Sequence, residues 1–267
     1  MTMSDRPPTA VLTVAGSDPS GGAGIQADLS VFMYLGLQGF SVITAVTAQN
    51  TRGVQRIFPL GREHVSAQLE SVTADFKPAV TKTGMLPTVD IIEEVGQRSA
   101  RGQLGKLVID PVLASTGGVR LSADECASYL VSNLLPRCSL VTPNLFEAEM
   151  LSGRSIRTEQ DAMEAARALV DAGAGSACVT GGHWPGNPVD FVFDGQIMHK
   201  FEGQRIKTQA PVHGTGCVFS SAAAGYLARG FTVVDAVENA KTLVERAINS
   251  ATTNGSGMML PSLRSDN

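Results

Sequence analysis

The sequence is poor in the features that mark metal fingers, disulfide scaffolds and membrane proteins. Its 267 residues contain four cysteines. These are Cys126, Cys138, Cys178 and Cys217, and no two form a Cys-x-x-Cys pair. That excludes zinc-finger spacing and a disulfide framework, and it fits a reducing cytoplasm, the expected compartment. No apolar run reaches bilayer-spanning length. The first eight residues are polar and carry no apolar leader core. A formal charge of −4 argues against a nucleic-acid surface. No repeat, low-complexity tract or linker interrupts the chain. Residues 1–267 therefore read as one domain, with 1–9 and 255–267 as flexible ends.

Two nucleotide signatures are also missing. Gly16 and Gly21 have P-loop spacing, but Gly22 and Ala23 follow where Lys-Ser/Thr is required. The G-x-G-x-x-G dinucleotide spacing is absent.

What the chain does have is alternation. Apolar, β-branched runs at 11–15, 39–49, 54–58, 79–83, 107–109, 139–142, 177–180, 189–193 and 196–201 read as strands. The run at 39–49 is apolar on both parities, as in a strand buried on both faces. Between them, helical patterns fall at 25–35, 61–75, 88–101, 122–135, 146–151, 158–171, 214–229 and 233–251. Thr88, Ser122 and Thr158 stand at N-cap positions. Asp194-Gly195 between two strands signals a hairpin. Such alternation predicts an α/β sandwich of three layers with a mostly parallel central sheet.

Ligands of open parallel sheets sit at the C-terminal ends of the strands. Here those ends carry Gly16-Ser17-Asp18, Gln49-Asn50, Lys82-Thr83-Gly84-Met85, Asp110, Asn144 and Thr180-Gly181-Gly182-His183. Late in the chain, His213-Gly214-Thr215-Gly216-Cys217 opens an apolar helix. Free backbone N–H groups of Thr215, Gly216 and Cys217, with the positive end of the helix dipole, make an anion site. The dipole would favour a Cys217 thiolate. The bland alternative is a Gly-rich start to a packed helix.

The polar residues divide in the same way. Asp28 is either a solvated carboxylate favoured by the helix dipole or a ligand for a substrate hydroxyl. Gln49 is either a turn residue or a reader of a heterocycle that offers both donor and acceptor. Asn144 and Glu147, spaced Asn-x-x-Glu, are either a capping arrangement or, with Asp110, a Mg²⁺ and water environment. Lys241 is either a solvated lysine or a nucleotide contact. His183 and His213 read equally well as ordinary loop residues. Thr116-Gly117-Gly118 reads as a flexible loop.

Five motifs in order carry a resemblance. They are Ala15-Gly16-Ser17-Asp18-Pro19-Ser20-Gly21-Gly22-Ala23-Gly24-Ile25-Gln26-Ala27-Asp28, the stretch 44–51, Lys82-Thr83-Gly84-Met85-Leu86, the stretch 142–148, and His213-Gly214-Thr215-Gly216-Cys217. Over nearly the whole chain the sequence resembles the hydroxymethylpyrimidine/phosphomethylpyrimidine kinases, on the ribokinase-like fold. The resemblance implies transfer of phosphate from ATP, with Mg²⁺, to the hydroxymethyl group of 4-amino-5-hydroxymethyl-2-methylpyrimidine. A second phosphate then gives the diphosphate, in thiamine biosynthesis, and a homodimer is implied. It assigns Gln49 to the pyrimidine edge, with Gly16, Asp28, Met85, Val112 and His213 around it. Gly214, Thr215, Gly216 and Cys217 become the anion hole, Cys217 standing where ribokinase-like enzymes have an Asp base. Asp110 and Glu147 fall near Mg²⁺; Asn144, Thr180, Thr208 and Lys241 fall near the nucleotide. Related readings are a pyridoxal or pyridoxine kinase and a non-catalytic pyrimidine-binding protein. Two departures stand out: Thr116 and Thr180 occupy positions where the family commonly has lysine. With less positive charge, the first transfer is expected to persist and the second to weaken.

Overall fold

The computed structural model describes residues 8–114, 118, 121–123, 125–253 and 255–263. The apolar runs form Ala10–Ser17 (β1), Gln38–Asn50 (β2), Gly53–Pro59 (β3), Val80–Thr83 (β4), Lys106–Ile109 (β5), Leu140–Val141 (β6), Ala177–Val179 (β7), Val189–Phe193 (β8) and Met198–Glu202 (β9). They make one sheet of order β3-β2-β1-β4-β5-β6-β7-β8-β9. The six strands from β2 to β7 are mutually parallel, and β3, β8 and β9 add antiparallel edges.

Helices Gly24–Tyr34 (α1), Thr215–Ala228 (α7) and Val233–Asn249 (α8) cover one face. Helices Arg62–Asp75 (α2), Val89–Ala100 (α3), Cys126–Tyr129 (α4), Leu145–Ser152 (α5) and Glu159–Asp171 (α6) cover the other. The three-layer α/β sandwich expected from the alternation is what forms. Fully buried Ile91, Ile92 and Val95 key α3 into the larger core, each worth roughly 1.5–3 kcal/mol of burial. On the opposite face, α7 packs through small residues. A Cβ on Gly225 would meet Leu35 Cδ1 at 2.5 Å, so glycine lets α7 press close to the chain after α1.

The strand order reverses at β1. The crossover through α1 leads to β2 on one side, while β4 pairs on the other. Such a switch point opens a crevice beyond the C-terminal strand ends. Residues from the ends of β1 and β4 line the cavity found there.

Several local expectations are corrected. Thr158 caps α6 within a full capping box with Asp161, as its sequence predicts. Thr88 sits at the N-cap of α3, yet its hydroxyl makes no capping bond. Ser122 is not the N-cap of α4, which begins at Cys126 after Glu125 and runs into a π turn, Leu130–Leu134, and a 3₁₀ turn at Leu135–Arg137. Pro136, which has no amide hydrogen to donate, sits inside that last 3₁₀ turn and bars any return to α-helix. β2 is buried on both faces only in part. Its Val46 is 44% exposed and pairs with Phe58 of edge strand β3, 51% exposed. The hairpin turn takes four residues, because Asp194 Oδ1 accepts from both Gln196 N–H and Ile197 N–H. The frayed tail expected after Asn254 is instead hydrogen-bonded through residues 258–262.

Candidate active site

A cavity of about 1240 Å³ lies across the strand ends. That exceeds the usual space for one drug-sized ligand and leaves room for two reactants. Of the residues named from the sequence, Gly16, Gln49, Met85, Asp110, Val112, Asn144, Glu147, Thr180, Thr208, Lys241 and the whole stretch from His213 to Cys217 line it. Asp28 does not. Of the expected loop at 116–118, Gly118 lines the cavity, while Thr116 and Gly117 lie outside the described residues.

Asp28 lies under the floor, with no exposed surface. Its carboxylate accepts from Thr13 Oγ1, from Ser221 Oγ of α7, and from Lys82 Nζ at 2.9 and 3.0 Å. A carboxylate so engaged cannot also bind a substrate hydroxyl. Its work is to hold Lys82, which is itself fully buried, lines the cavity and lies 3.6 Å from Asp110 Oδ2. Ser220, next to Ser221, donates to Asp110 Oδ2 at 2.8 Å. Two adjacent hydroxyls of α7 thus fix two different carboxylates.

Lys82 has no functional assignment from the sequence, although a signal was present. It stands between threonines in a short strand, and a lysine buried there needs a carboxylate partner. Burial opposes its charge, but the Asp28 and Asp110 carboxylates hold its pKa above the usual lysine value.

At the anion turn, Gly214 adopts φ 80°, the left-handed conformation. A Cβ there would lie 1.8 Å from Gly22 O, so this close approach also demands glycine. Helix geometry leaves the first N–H groups of α7, at Thr215, Gly216 and Cys217, without intrahelical partners, and they face the cavity end of the helix. Cys217 departs from its expected thiolate state. Burial, with Asp110 and Asp28 nearby, outweighs the Lys82 ammonium and the Gly24 N–H, and pushes the thiol up to about 12. It rests as a thiol.

Asn144 and Glu147 do form the capping box: Glu147 N–H donates to Asn144 Oδ1 and Asn144 N–H to Glu147 Oε2, each at 3.0 Å. The same glutamate still faces the cavity. Burial and the nearby Asp110 raise its carboxyl to about 8. Asp110 is raised as well, chiefly by burial, against Lys82 and Ser220. Two buried carboxylates that disfavour each other's charge are what a divalent cation relieves. Among the described residues no group of three or more His, Cys, Asp or Glu forms a metal cage. The pair suits Mg²⁺, which keeps waters and takes few protein ligands.

On the pyrimidine side expected from the sequence, Gln49 Nε2 lies 2.7 Å from His213 Nε2, which lies 3.4 Å from Asp18 Oδ2. Asp18 also organises the Gly-rich loop, accepting from Ser20 N–H and Ala23 N–H. On the other side, Lys241 is not a solvated lysine. Its Nζ donates to Asp190 Oδ2 at 2.6 Å, while Asp190 Oδ1 accepts from Gly181 N–H. Thr180 donates to Pro143 O at 3.3 Å, and Thr208 to Ala210 O at 2.8 Å. Arg205, also missed in the sequence, lines this wall. Its guanidinium donates to the carbonyls of Gly182, Trp184 and Gly186, closing the loop after Thr180.

A mostly parallel three-layer sandwich, with a glycine anion turn opening a helix at its switch point, defines a phosphotransferase of the ribokinase-like class. The comparisons agree. The family model for phosphomethylpyrimidine kinase matches residues 18–261. The hydroxymethylpyrimidine/phosphomethylpyrimidine kinase of Escherichia coli (strain K12) is 43% identical over 244 residues, 91% of each chain. The thiamine biosynthesis bifunctional protein ThiED of Geobacter sulfurreducens is 44% identical over 94% of this chain, which spans 51% of that longer protein. Among solved structures, Bacillus subtilis pyridoxal kinase in its ADP complex superposes with TM-score 0.88 at 36% identity, covering 96% of this chain and 97% of that one. The chain belongs to the phosphomethylpyrimidine kinase family and is a kinase.

Proposed function

We propose that this chain, as one domain, transfers the γ-phosphate of ATP to the hydroxymethyl group of 4-amino-5-hydroxymethyl-2-methylpyrimidine, and that it works as a homodimer in the cytoplasm. The observation that carries the reading is the Gly214–Cys217 turn at the floor of a two-reactant cavity, beside Asp110 and Glu147. Phosphoryl transfer needs positioning and neutralisation of spread negative charge more than covalent chemistry. The N–H groups of Thr215, Gly216 and Cys217 receive the transferring phosphoryl group. Asp110 and Glu147 would hold Mg²⁺, which supplies charge neutralisation on the phosphates. Gln49, held by His213, faces the pyrimidine edge, with Gly16, Met85 and Val112 around the ring. Asn144, Thr180, Thr208 and Lys241 form the nucleotide side. Cys217, as a thiol, acts by position: its proton is not off at rest, and it orients the substrate hydroxyl rather than deprotonating it beforehand.

The first phosphorylation is retained and the second is weakened in this reading. Thr180 offers a neutral hydroxyl where the family commonly has lysine. Lys82 and Lys241 are each neutralised by a carboxylate. Arg205 is the cation of the wall without a carboxylate partner among the described residues. A panel of the pyrimidine alcohol, its monophosphate and pyridoxal, with product identification, tests this. Diphosphate formed as fast as monophosphate would overturn the second half. The likeness to a pyridoxal kinase favours a second reading, phosphorylation of pyridoxal, and preferential turnover of that arm would establish it.

A further inference from the structure

The chain after α8 turns back across the ligand end of the sheet. Arg52 Nε donates to Ser256 Oγ at 2.8 Å, and Met258 N–H donates to Thr51 O at 2.7 Å. Gly255 and Gly257 press on that same β2–β3 turn: a Cβ on them would meet Thr51 Oγ1 at 2.5 Å and Thr51 O at 2.1 Å. One residue further the partner changes. Met259 N–H donates to Pro211 O at 2.8 Å and its carbonyl accepts from His213 N–H at 2.9 Å, a parallel bridge around Val212. Leu260 then exchanges two backbone bonds of 3.0 Å with Thr252, and Ser262 N–H donates to Ala247 O of α8.

Two consecutive residues, Met258 and Met259, therefore join the turn after Gln49 to the segment that leads into the anion turn. The same two walls meet inside the cavity, where Gln49 and His213 lie 2.7 Å apart. The Leu260 side chain closes the arrangement: a Cβ on Gly22 would meet Leu260 Cδ2 at 2.6 Å and His213 Cδ2 at 3.0 Å. Leu260 and His213 thus both pack against Gly22, although Leu260 does not line the cavity. Among the described residues no hydrogen bond of the strap reaches α5, β7 or β8, the elements at or beside which Asn144, Thr180 and Asp190 stand.

We infer that Met258–Leu260 is a positioning strap for the ring of the small alcohol. It fixes the separation of Gln49 from His213, and Leu260 is a positioning residue that touches no reactant. The inference rests on the kinase reading above. Side-chain contacts alone would let the two walls drift, and a misplacement of about 1 Å can cost roughly a hundredfold in rate. Because the strap holds only the ring end, its loss weakens recognition of the alcohol and spares the nucleotide.

The test uses full-length Leu260→Ala and Met259→Pro, the latter removing the N–H that binds Pro211. Three readouts are taken: KM for each substrate, Tm, and hydrogen exchange over residues 49–53 and 208–216. Both variants should lose protection in the two walls and raise KM for the alcohol about tenfold, with KM for ATP within about twofold. Tm should fall by no more than about 5 °C. An equal rise of both KM values, unchanged exchange at 208–216, or a larger Tm loss with unaltered kinetics in the folded fraction would each overturn the strap. If the wild type phosphorylates no substrate offered, the kinase reading falls; the exchange comparison still decides the strap.

Discussion

Glu147 should make the stability of the protein fall as pH rises, and Mg²⁺ should reverse that fall. The carboxyl titrates near its usual 4.5 in the unfolded chain and near 8 in the folded one. Between those values the folded state holds a proton that the unfolded state has released. The stabilising contribution is therefore fully present below 4.5 and lost as pH climbs through about 8. A difference of about 3.5 pH values at 1.36 kcal/mol each gives an upper figure of about 5 kcal/mol. At roughly 2–4 °C per kcal/mol, the metal-free wild type should lose about 10 °C in Tm between pH 5 and pH 9. A divalent cation bound to the ionised pair should restore Tm at pH 9 and do little at pH 5. Glu147→Gln isolates the charge: the amide oxygen can still accept from Asn144 N–H, since glutamine serves at that capping position. The variant should show a much flatter profile and no Mg²⁺ recovery. What slope remains belongs to Asp110, whose pKa is raised in the same direction. A wild-type slope that persists undiminished in the variant, or a Mg²⁺ effect equal at pH 5 and pH 9, would refute the reasoning.

Lys82→Met should cost roughly 3–5 kcal/mol in urea unfolding, because it leaves Asp28 charged and buried with only hydroxyl partners; adding Asp28→Asn should recover part of that loss. Cys217→Ala should lower kcat at least about tenfold with KM nearly unchanged, as expected for an interaction made in the transition state; an unaltered kcat would make Cys217 a packing residue. Gly214→Ala, whose Cβ would collide with Gly22 O at φ 80°, should lower turnover by more than about a hundredfold in steady-state assays. Thr180→Lys should raise formation of the diphosphate about tenfold over the wild type in a product-resolved assay, the worth of one hydrogen bond to a charged group.

The architecture was largely legible because it depends on local pattern. Alternating apolar runs and helical stretches dictate layers, and Thr158 with Asp161 writes a helix start in adjacent residues. Most of the cavity wall was legible for a related reason: polar residues collect at strand ends, and those ends converge by topology. What escaped depends on partners distant in sequence. Nothing near Asp28 says that Lys82 and Ser221 will bury it, so a substrate ligand was expected where a structural ion pair stands. The expected Cys217 thiolate followed from helix position alone, whereas burial beside two carboxylates decides its state. After Asn254 the sequence carries no helix or strand pattern, and the bonds there are made almost entirely by backbone, to which side-chain patterns are blind. The spacing of Asn144 and Glu147 fits a cap or a metal site; the cap is formed, and the carboxyl it holds remains turned to the cavity.

The contact of Gly22 with Gly214 and Leu260 has a consequence in time. The pieces that complete the loop after the first strand leave the ribosome much later: Gly214 and Leu260 follow Gly22 by 192 and 238 residues. At roughly 5–20 residues per second, the Gly-rich loop waits about 10–50 s for the anion turn and the strap. During that interval a nascent chain can form much of the sheet yet possesses no phosphate pocket. The kinase thus becomes competent only once Leu260 has been made, and chains cut short before Leu260 should be inert even where they fold.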